Sequence, residues 1–459
     1  MNWKWLVVLP ALAVAPTLTQ PAAAQTPGGD TQKLLQRIDE LEQKMRILER
    51  NRELDKEAEH NVAQTATSVS EGTSGFTVRS ADTNFVLKVR GYVQADARFF
   101  PADRNTGAIN DTFLLRRVRP IIEGTVYDKF DYRLMLDFGQ NKSSGSTAAN
   151  QDTVQDAYVT AKLYPEFQVQ VGKFKEPVGL ERLQSGANLL FIERGFPTQL
   201  APNRDVGIQV QGDLWNSRLS YQAGIFNGVA DGGSGDADTA DTDKDIAARV
   251  FAHPFKDSDS DALRGLGFGL SGTIGNHNTA LRTYTTPGQQ RFFSYTAGTA
   301  SAGEHQRVSP QGYYYYGPFG VFGEYIISSQ RVRNAAGVSR RLTHTAWQLA
   351  TSYFLTLEDN SFKPITPRAN FTLGGPGWGA LELTARVGQL DVDNNAFPTF
   401  ATATTSASEA TSWGVGANWH LNRNIKLSLN YERTVVEGGT TPYLINGEHV
   451  ILSRVQFSF

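Results

Sequence analysis

Cysteine is absent from the 459 residues, so disulfides, thiolate metal sites and cysteine nucleophiles are excluded together, a composition suited to a chain that crosses an oxidising compartment. Methionine is nearly as scarce at 3 while glycine reaches 43, a balance pointing to strands and turns rather than packed helices. Beyond the first twenty residues no run approaches the roughly 18 consecutive apolar residues of a membrane-spanning helix, so any membrane span must be β. Neither sign of charge is in excess. The 44 Lys and Arg face 46 Asp and Glu, and a net charge of -2 provides no global basic field for gripping nucleic acid, so any charge selectivity is local. What the chain does have is aromatic: 7 Trp, 16 Tyr and 26 Phe exclude a disordered polymer.

The N-terminus has the form of a secretion signal. Lys4 supplies the positive charge, Trp5 to Ala15 the apolar run and Ala22-Ala23-Ala24 a small-residue cleavage site. Residues 1–24 are read as a signal peptide rather than an anchor helix, because Pro10 and Pro16 interrupt a short run. The one clear helical period follows. Leu34, Ile38, Leu41, Met45 and Leu48 recur at the a and d spacings of a coiled coil, with charged residues on the remaining faces. Residues 25–60 are expected to be a coiled-coil segment, with one amphipathic helix lying on its own domain as the alternative. The polar stretch 61–75 reads as a linker before the domain at 76–459.

From residue 76 the period is two. Across 85–99, Phe85, Leu87, Val89, Gly91, Val93, Ala95, Ala97 and Phe99 occupy one face, and Lys88, Arg90, Tyr92, Gln94, Asp96 and Arg98 the other. The pattern recurs over 131–139, 156–163, 207–214, 379–388 and 424–432. Connections are short at 127–129 and 422–424 but long at 141–152 and 228–245, the layout of an outer-membrane barrel. Many runs exceed the typical sandwich strand of about five or six residues. At about 24 residues per strand with its connection, the length supports roughly 16 antiparallel strands around a water-filled lumen. Val455, Phe457 and terminal Phe459 share one face of the last run, similar to the assembly signal of outer-membrane barrels, so the barrel-assembly machinery is an expected partner.

Five motifs carry a family likeness: Phe113-Leu-Leu-Arg-Arg-Val-Arg119, Val171-Gly-Lys-Phe-Lys-Glu-Pro-Val-Gly-Leu-Glu181, Tyr353-Phe-Leu-Thr356, Gly379-Ala-Leu-Glu-Leu-Thr-Ala-Arg386 and Gly414-Val-Gly-Ala-Asn-Trp419. In this order the chain resembles the phosphate-selective porin O and P group of Gram-negative outer membranes. The resemblance implies a homotrimer of 16-stranded barrels with a constricted, cation-lined pore, and a trimer for the N-terminal coiled coil in the periplasm. The heptad alone leaves the number of copies open, since Ile at a with Leu at d leans toward dimers. The coiled coil either holds the trimer or reaches toward the cell wall.

A charge facing hydrocarbon near the midplane costs about 2–4 kcal/mol, so the polar faces should line the lumen. Lys88, Arg90, Arg98, Arg117, Arg119, Arg133, Lys162, Arg249, Arg386, Lys426 and Arg454 are expected to point inward. Asp96, Glu123, Asp131, Asp137, Asp156, Glu324, Glu382 and Glu432 fall on the same faces and should brace the wall by pairing with many of them. The cluster Arg116-Arg117-Arg119 is harder to neutralise, because no carboxylate lies between Leu114 and Ile122. Arg117 and Arg119 share a face about 6–7 Å apart and can hold one anion jointly, while Arg116 should face outward. Lys173 and Lys175 form a second pair before Glu176-Pro177, a stretch that the resemblance leads toward the constriction. The candidate anion-binding set is therefore Arg117, Arg119, Lys88, Arg90, Arg98, Arg133, Lys173, Lys175, Arg386 and Arg454. Fixed cations select anions, Arg through its two-pronged fork and Lys as a mobile point charge. The expected function is passive, anion-preferring diffusion of phosphate or a related oxyanion, with outer-membrane lipids around the barrel and no cofactor or metal.

Asp231, Asp236, Asp238, Asp241, Asp243 and Asp245 form an acidic stretch read as a solvated surface loop, with divalent-cation bridging as the other reading. Enzyme signatures are missing: the seven His are dispersed, and the Gly-rich stretches at 265–269 and 414–416 lack a following helix. The alternatives to a porin are a surface or tethering barrel and, further off, a barrel hydrolase.

Overall fold

The computed structural model describes residues 29–65, 67–72, 75–101, 110–139, 153–237, 242–439 and 447–459. The signal peptide read at 1–24 lies outside the described residues. The chain divides into two units, Met1–Ala66 and Thr67–Phe459.

Among the described residues the first unit holds one helix, Gly29–Thr65. Its sequence is rich in Leu, Glu, Lys, Arg and Gln, and Arg37–Glu40, Arg46–Glu42 and Arg50–Glu53 pair along the surface. The helix runs past residue 60, so part of the expected linker is helical. Within the unit, Leu34, Ile38, Leu41, Met45 and Leu48 are all exposed, forming an apolar row.

The second unit is an antiparallel barrel of sixteen strands among the described residues: Phe85–Phe99 (β1), Thr112–Val126 (β2), Phe130–Leu136 (β3), Val154–Tyr164 (β4), Phe167–Lys175 (β5), Arg204–Leu214 (β6), Leu219–Phe226 (β7), Asp245–Ala252 (β8), Leu266–His277 (β9), Ala300–Tyr316 (β10), Phe319–Arg333 (β11), Ser339–Phe354 (β12), Ala380–Asp391 (β13), Glu409–His420 (β14), Ile425–Glu437 (β15) and Glu448–Ser458 (β16). Each strand pairs with the next. β16 closes the ring on β1, from Ile451 opposite Phe99 to Ser458 opposite Tyr92, leaving no sheet edge at that seam. A hairpin of Ser68–Gly72 and Gly75–Arg79 continues the wall where β16 ends, pairing with β1 from Phe76 opposite Val89 to Arg79 opposite Val86. The C-terminal residue is tied in as well: Phe459 N donates to Gly91 O at 3.0 Å, and Gly91 N donates to Phe459 O at 2.9 Å.

Alternation sorts the two faces as the period of two predicts. Phe85, Leu87 and Val89 stand outward and exposed, while Gln94, Asp96, Arg98, Arg454 and Gln456 are buried inside. Connections at one end are short at 127–129, 165–166, 215–218, 317–318 and 421–424, with 253–265 and 355–379 as longer exceptions. The opposite end carries long connections, among them 176–203, 227–244, 278–299 and 392–408. By the usual asymmetry the short-turn end is periplasmic.

Several connections fold into the barrel. The short helix Pro197–Leu200 (α2, the helix Gly29–Thr65 being α1) sits in loop 176–203, and its Leu200 belongs to one buried apolar cluster with Phe196, Tyr284, Phe292, Phe293, Phe400 and the inward wall residues Ile326, Leu342 and Leu390. This apolar plug fills the long-loop side of the lumen against β11–β13.

Candidate functional site

The polar remainder of the lumen is organised by loop 176–203, which crosses it and is held on many sides. Leu180 N donates to Glu324 Oε2 at 2.6 Å, Ile192 N to Asn430 Oδ1 at 2.8 Å, and Gln94 Nε2 to Gly186 O at 2.8 Å. Lys426 Nζ reaches the carbonyls of Ala187 and Leu189, both at 3.2 Å. From the short-turn end, loop 355–379 rises to meet it: Gln184 Nε2 donates to Phe362 O at 3.4 Å, and the Phe362 ring stacks on Tyr313. Beneath residues 184–190 lies a cavity of 460 Å³ lined by Arg90, Arg133, Lys363, Arg423 and Lys426 together with Glu123 and Glu382.

Most of the expected anion-binding residues are engaged with acids. Arg454 forms a two-pronged pair with Asp96 at 2.6 and 2.7 Å, and Arg90 a similar one with Glu123 at 2.7 and 2.9 Å. Arg133 bridges Glu123 and Asp156, Arg119 binds Asp137 at 2.8 Å, and Arg98 binds Glu193 at 3.2 Å. Arg386 reaches Glu432 at 2.7 Å while its guanidinium lies 4.3 Å over the Phe191 ring. Lys173 pairs with Asp236 of loop 227–244. Of the acids expected to brace the inner faces, Asp96, Glu123, Asp131, Asp137, Asp156 and Glu432 pair with Arg or Lys, whereas Glu324 accepts from the backbone N–H groups of Leu180 and Glu181 and Glu382 accepts from Asn418.

Arg117, Lys175 and Lys88 have no ion pair with a carboxylate among the described residues. Arg117, 3 % exposed, donates from Nη1 to the neutral amide of Gln94 at 2.8 Å, and its buried Nε has no hydrogen-bond partner among the described residues. A Cβ on Gly186 would stand 2.9 Å from Tyr92 Oη and 3.2 Å from Arg117 Nε, so a larger residue there would press on both side chains. Lys175 Nζ and Arg194 Nη2 converge on one carbonyl, Gln184 O, at 2.8 and 2.7 Å. Arg182 hydrogen-bonds the Thr198 carbonyl, and its buried Nε has no hydrogen-bond partner among the described residues. Burial first, and then the guanidinium groups of Arg194 and Arg204, push Arg182 down to about 9. A strained cation of this kind is a group that a nearby anion would relieve.

Sequence reasoning missed Arg182 and Arg194. Each follows a glutamate in a stretch with no period, and the only available signal was the two Glu-Arg pairs beyond Pro177. Arg116 is a correction. The pairing shifts between Gln94, opposite Arg117, and Ala95, opposite Leu115, so Arg116 occupies a β-bulge. Its side chain turns inward, with Nε 2.5 Å and Nη2 3.0 Å from the Glu193 carboxylate, instead of facing outward as strict alternation requires.

The acidic stretch is a second correction. Asp231 and Asp245 are buried: Arg307 Nε lies 2.8 Å from Asp231, and His277 Nε2 2.8 Å from Asp245. They anchor the ends of a connection expected to be solvated throughout. Asp238 and Asp241 lie outside the described residues.

The comparisons agree with this architecture. The family model for phosphate-selective porin O and P matches residues 87–459. Porin O of Pseudomonas aeruginosa is 23 % identical over 412 residues, covering 84 % of this chain and 91 % of that protein. Among solved structures, the anion-selective porin from Comamonas acidovorans aligns with 82 % of this chain and 100 % of its own at 12 % identity and a TM-score of 0.51. The outer membrane channel DcaP of Acinetobacter baumannii aligns with 84 % of this chain and 100 % of its own at 11 % identity and a TM-score of 0.51. The two solved structures show the shared fold, and the match over residues 87–459 shows the family: this chain belongs to the phosphate-selective porins O and P, and it is an outer-membrane channel rather than an enzyme.

Proposed function

We propose that this anion-preferring porin passes phosphate-class oxyanions by passive diffusion along the cations gathered around loop 176–203. Arg117, Lys175, Arg182 and Arg194 are the groups a passing anion touches. Arg98, Arg119, Arg133, Arg386, Arg454 and Lys173 hold the wall that positions them, and Lys88 and Arg90 extend the basic path toward the short-turn end.

One observation carries the reading. Arg117, Lys175, Arg182 and Arg194 are buried or half-buried, yet none has an ion pair among the described residues. Withdrawing a cation from water without a counter-ion is costly, so an anion in transit supplies what the protein omits. The Arg forks offer paired hydrogen bonds to an oxyanion, Lys offers a point charge, and several weak sites in succession let the ion leave. In a planar bilayer with a KCl gradient, the reversal potential should take the sign of chloride preference. Added phosphate should block chloride current, and Arg117→Gln with Lys175→Gln should weaken both effects several-fold. A cation-selective wild type, or a block unchanged in the double variant, contradicts the reading.

The protein in this reading is a homotrimer, exported after loss of residues 1–24, with segment 25–60 as a periplasmic coiled coil. The exposed row from Leu34 to Leu48 supports it, because an apolar stripe on a helix is buried by a neighbour of like pattern. Phe459 fits the assembly signal that the barrel-assembly machinery would read, and the cell wall is the other partner within reach of such a helix.

A further inference from the structure

The lipid-facing wall changes character along β11 and β12. Phe319, Tyr325 and Ile327 of β11 and Leu349 and Tyr353 of β12 point outward and are exposed, as a hydrocarbon-facing surface requires. Farther along the same outward rows stand Arg331 and Arg333 on β11 and Arg341 on β12, all exposed. Arg331 lies directly opposite Arg341. Like charges placed so across a strand pair repel each other. Glu304 of β10 pairs with Arg341 at 3.1 Å, whereas the side chains of Arg331 and Arg333 have no hydrogen bond or ion pair among the described residues.

Strand geometry gives the depth of these groups. Phe319 and Tyr353 are register partners at the short-turn end and mark the inner aromatic girdle. Arg331 lies about twelve residues farther on, roughly 40 Å of strand, which a tilt of about 35–45° reduces to about 30 Å along the membrane normal. The apolar band of such barrels is about 25 Å tall, so Ile327 falls inside it and the arginines fall just past its outer edge, in the headgroup layer. On the neighbouring strands the outward rows end in the opposite sign: Asp391 of β13, opposite Thr345 and so four residues short of Arg341 in register, faces Glu409 of β14, which faces Glu437 of β15. The basic patch is thereby bounded to β11 and β12.

We propose that Arg331, Arg333 and Arg341 form a docking site on the outer wall for the phosphate groups of outer-leaflet lipid headgroups. The site is separate from the lumen and independent of the transport reading. Depth selects a lipid, since a group held in the headgroup layer meets headgroup phosphates at high local concentration, and the guanidinium fork fits phosphate in two-pronged fashion.

The test uses the full chain in phosphatidylcholine nanodiscs containing either a bisphosphorylated glycolipid or the same lipid dephosphorylated. The phosphorylated lipid should raise the unfolding midpoint and stay bound in native mass spectra, while the dephosphorylated form does neither. The variant carrying Arg331→Gln, Arg333→Gln and Arg341→Gln should lose both effects, the corresponding Lys variant should keep most of them, and channel conductance should match wild type in both. An equal shift with dephosphorylated lipid, retention in the Gln variant, or the same protection from inorganic phosphate in detergent overturns the proposal. So does a Gln variant whose oligomer falls apart in lipid-free detergent, which would make the patch a contact between copies. Should the triple variant not fold, Arg331→Gln alone decides: a several-fold loss of bound phosphorylated lipid supports the proposal, and full retention overturns it.

Discussion

Arg454 and Arg117 are both inward guanidinium groups almost wholly buried in the lumen wall, yet their replacements should have opposite consequences. Arg454→Gln strips Asp96, itself 3 % exposed, of its two-pronged partner. Breaking a buried pair from one side costs about 3–5 kcal/mol, and the low end applies because Arg98 remains near Asp96. The unfolding midpoint in detergent should fall by several degrees. Arg117→Gln instead removes a charge that Arg116 and Arg454 repel, so the midpoint should hold or rise while anion preference drops. Equal destabilisation of the two variants would show that Arg117 is another brace. Alternation already revealed which of these side chains face inward. Their partners were not legible, because Asp96 and Arg454 meet only where the last strand closes on the first, 358 residues apart. That meeting depends on the stagger of the whole ring.

Loop 176–203 crosses the lumen and in the proposed reading gathers the cations that select, and Glu193 ties it to the wall through Arg98 and Arg116. Burial alone would raise this carboxyl, but Arg116, then Arg117 and Arg98, outweigh it and hold Glu193 well below the usual carboxylate range. A depressed folded value places the stabilisation above the unfolded value of about 4.3, and the stabilisation persists until pH falls through the folded value. Single-channel current should therefore show no loosening of this loop between pH 7 and about pH 4. Glu193→Gln should produce flicker and sub-conductance states already at pH 7, and a quiet trace in that variant would mean the loop is held elsewhere. The strands flanking this loop could be read from their period of two. The loop itself has no period, and the bulge that brings Arg116 to Glu193 leaves no mark in the local sequence, since one extra residue in one strand is visible only against its partner.

At the scale of the molecule the chain joins two kinds of order, a helix with an apolar stripe and a barrel whose apolar surface faces lipid. The barrel was legible because its strands repeat one rule, broken only locally at bulges such as that of Arg116. The contents of its lumen were not, because they come from connections that obey none. The helix is the reverse case: its period is plain, but a period cannot say what covers the stripe. If three copies of the barrel associate, their helices are held at high local concentration, and a seam too weak to form alone becomes favourable. Replacing Leu41 and Leu48 with Asp puts two charges per copy into that seam while leaving the helix's charged faces and the barrel untouched. Cross-linking through a cysteine introduced at Arg37, unambiguous in a chain that has no other, should then fall sharply, whereas conductance per channel and the unfolding of the barrel should stay at wild-type values. Unchanged cross-linking would mean that the stripe packs against something other than its own copies. Collapse of the barrel oligomer itself would mean that the helix is the clamp holding the barrels together, so one pair of substitutions distinguishes a bystander from a clamp.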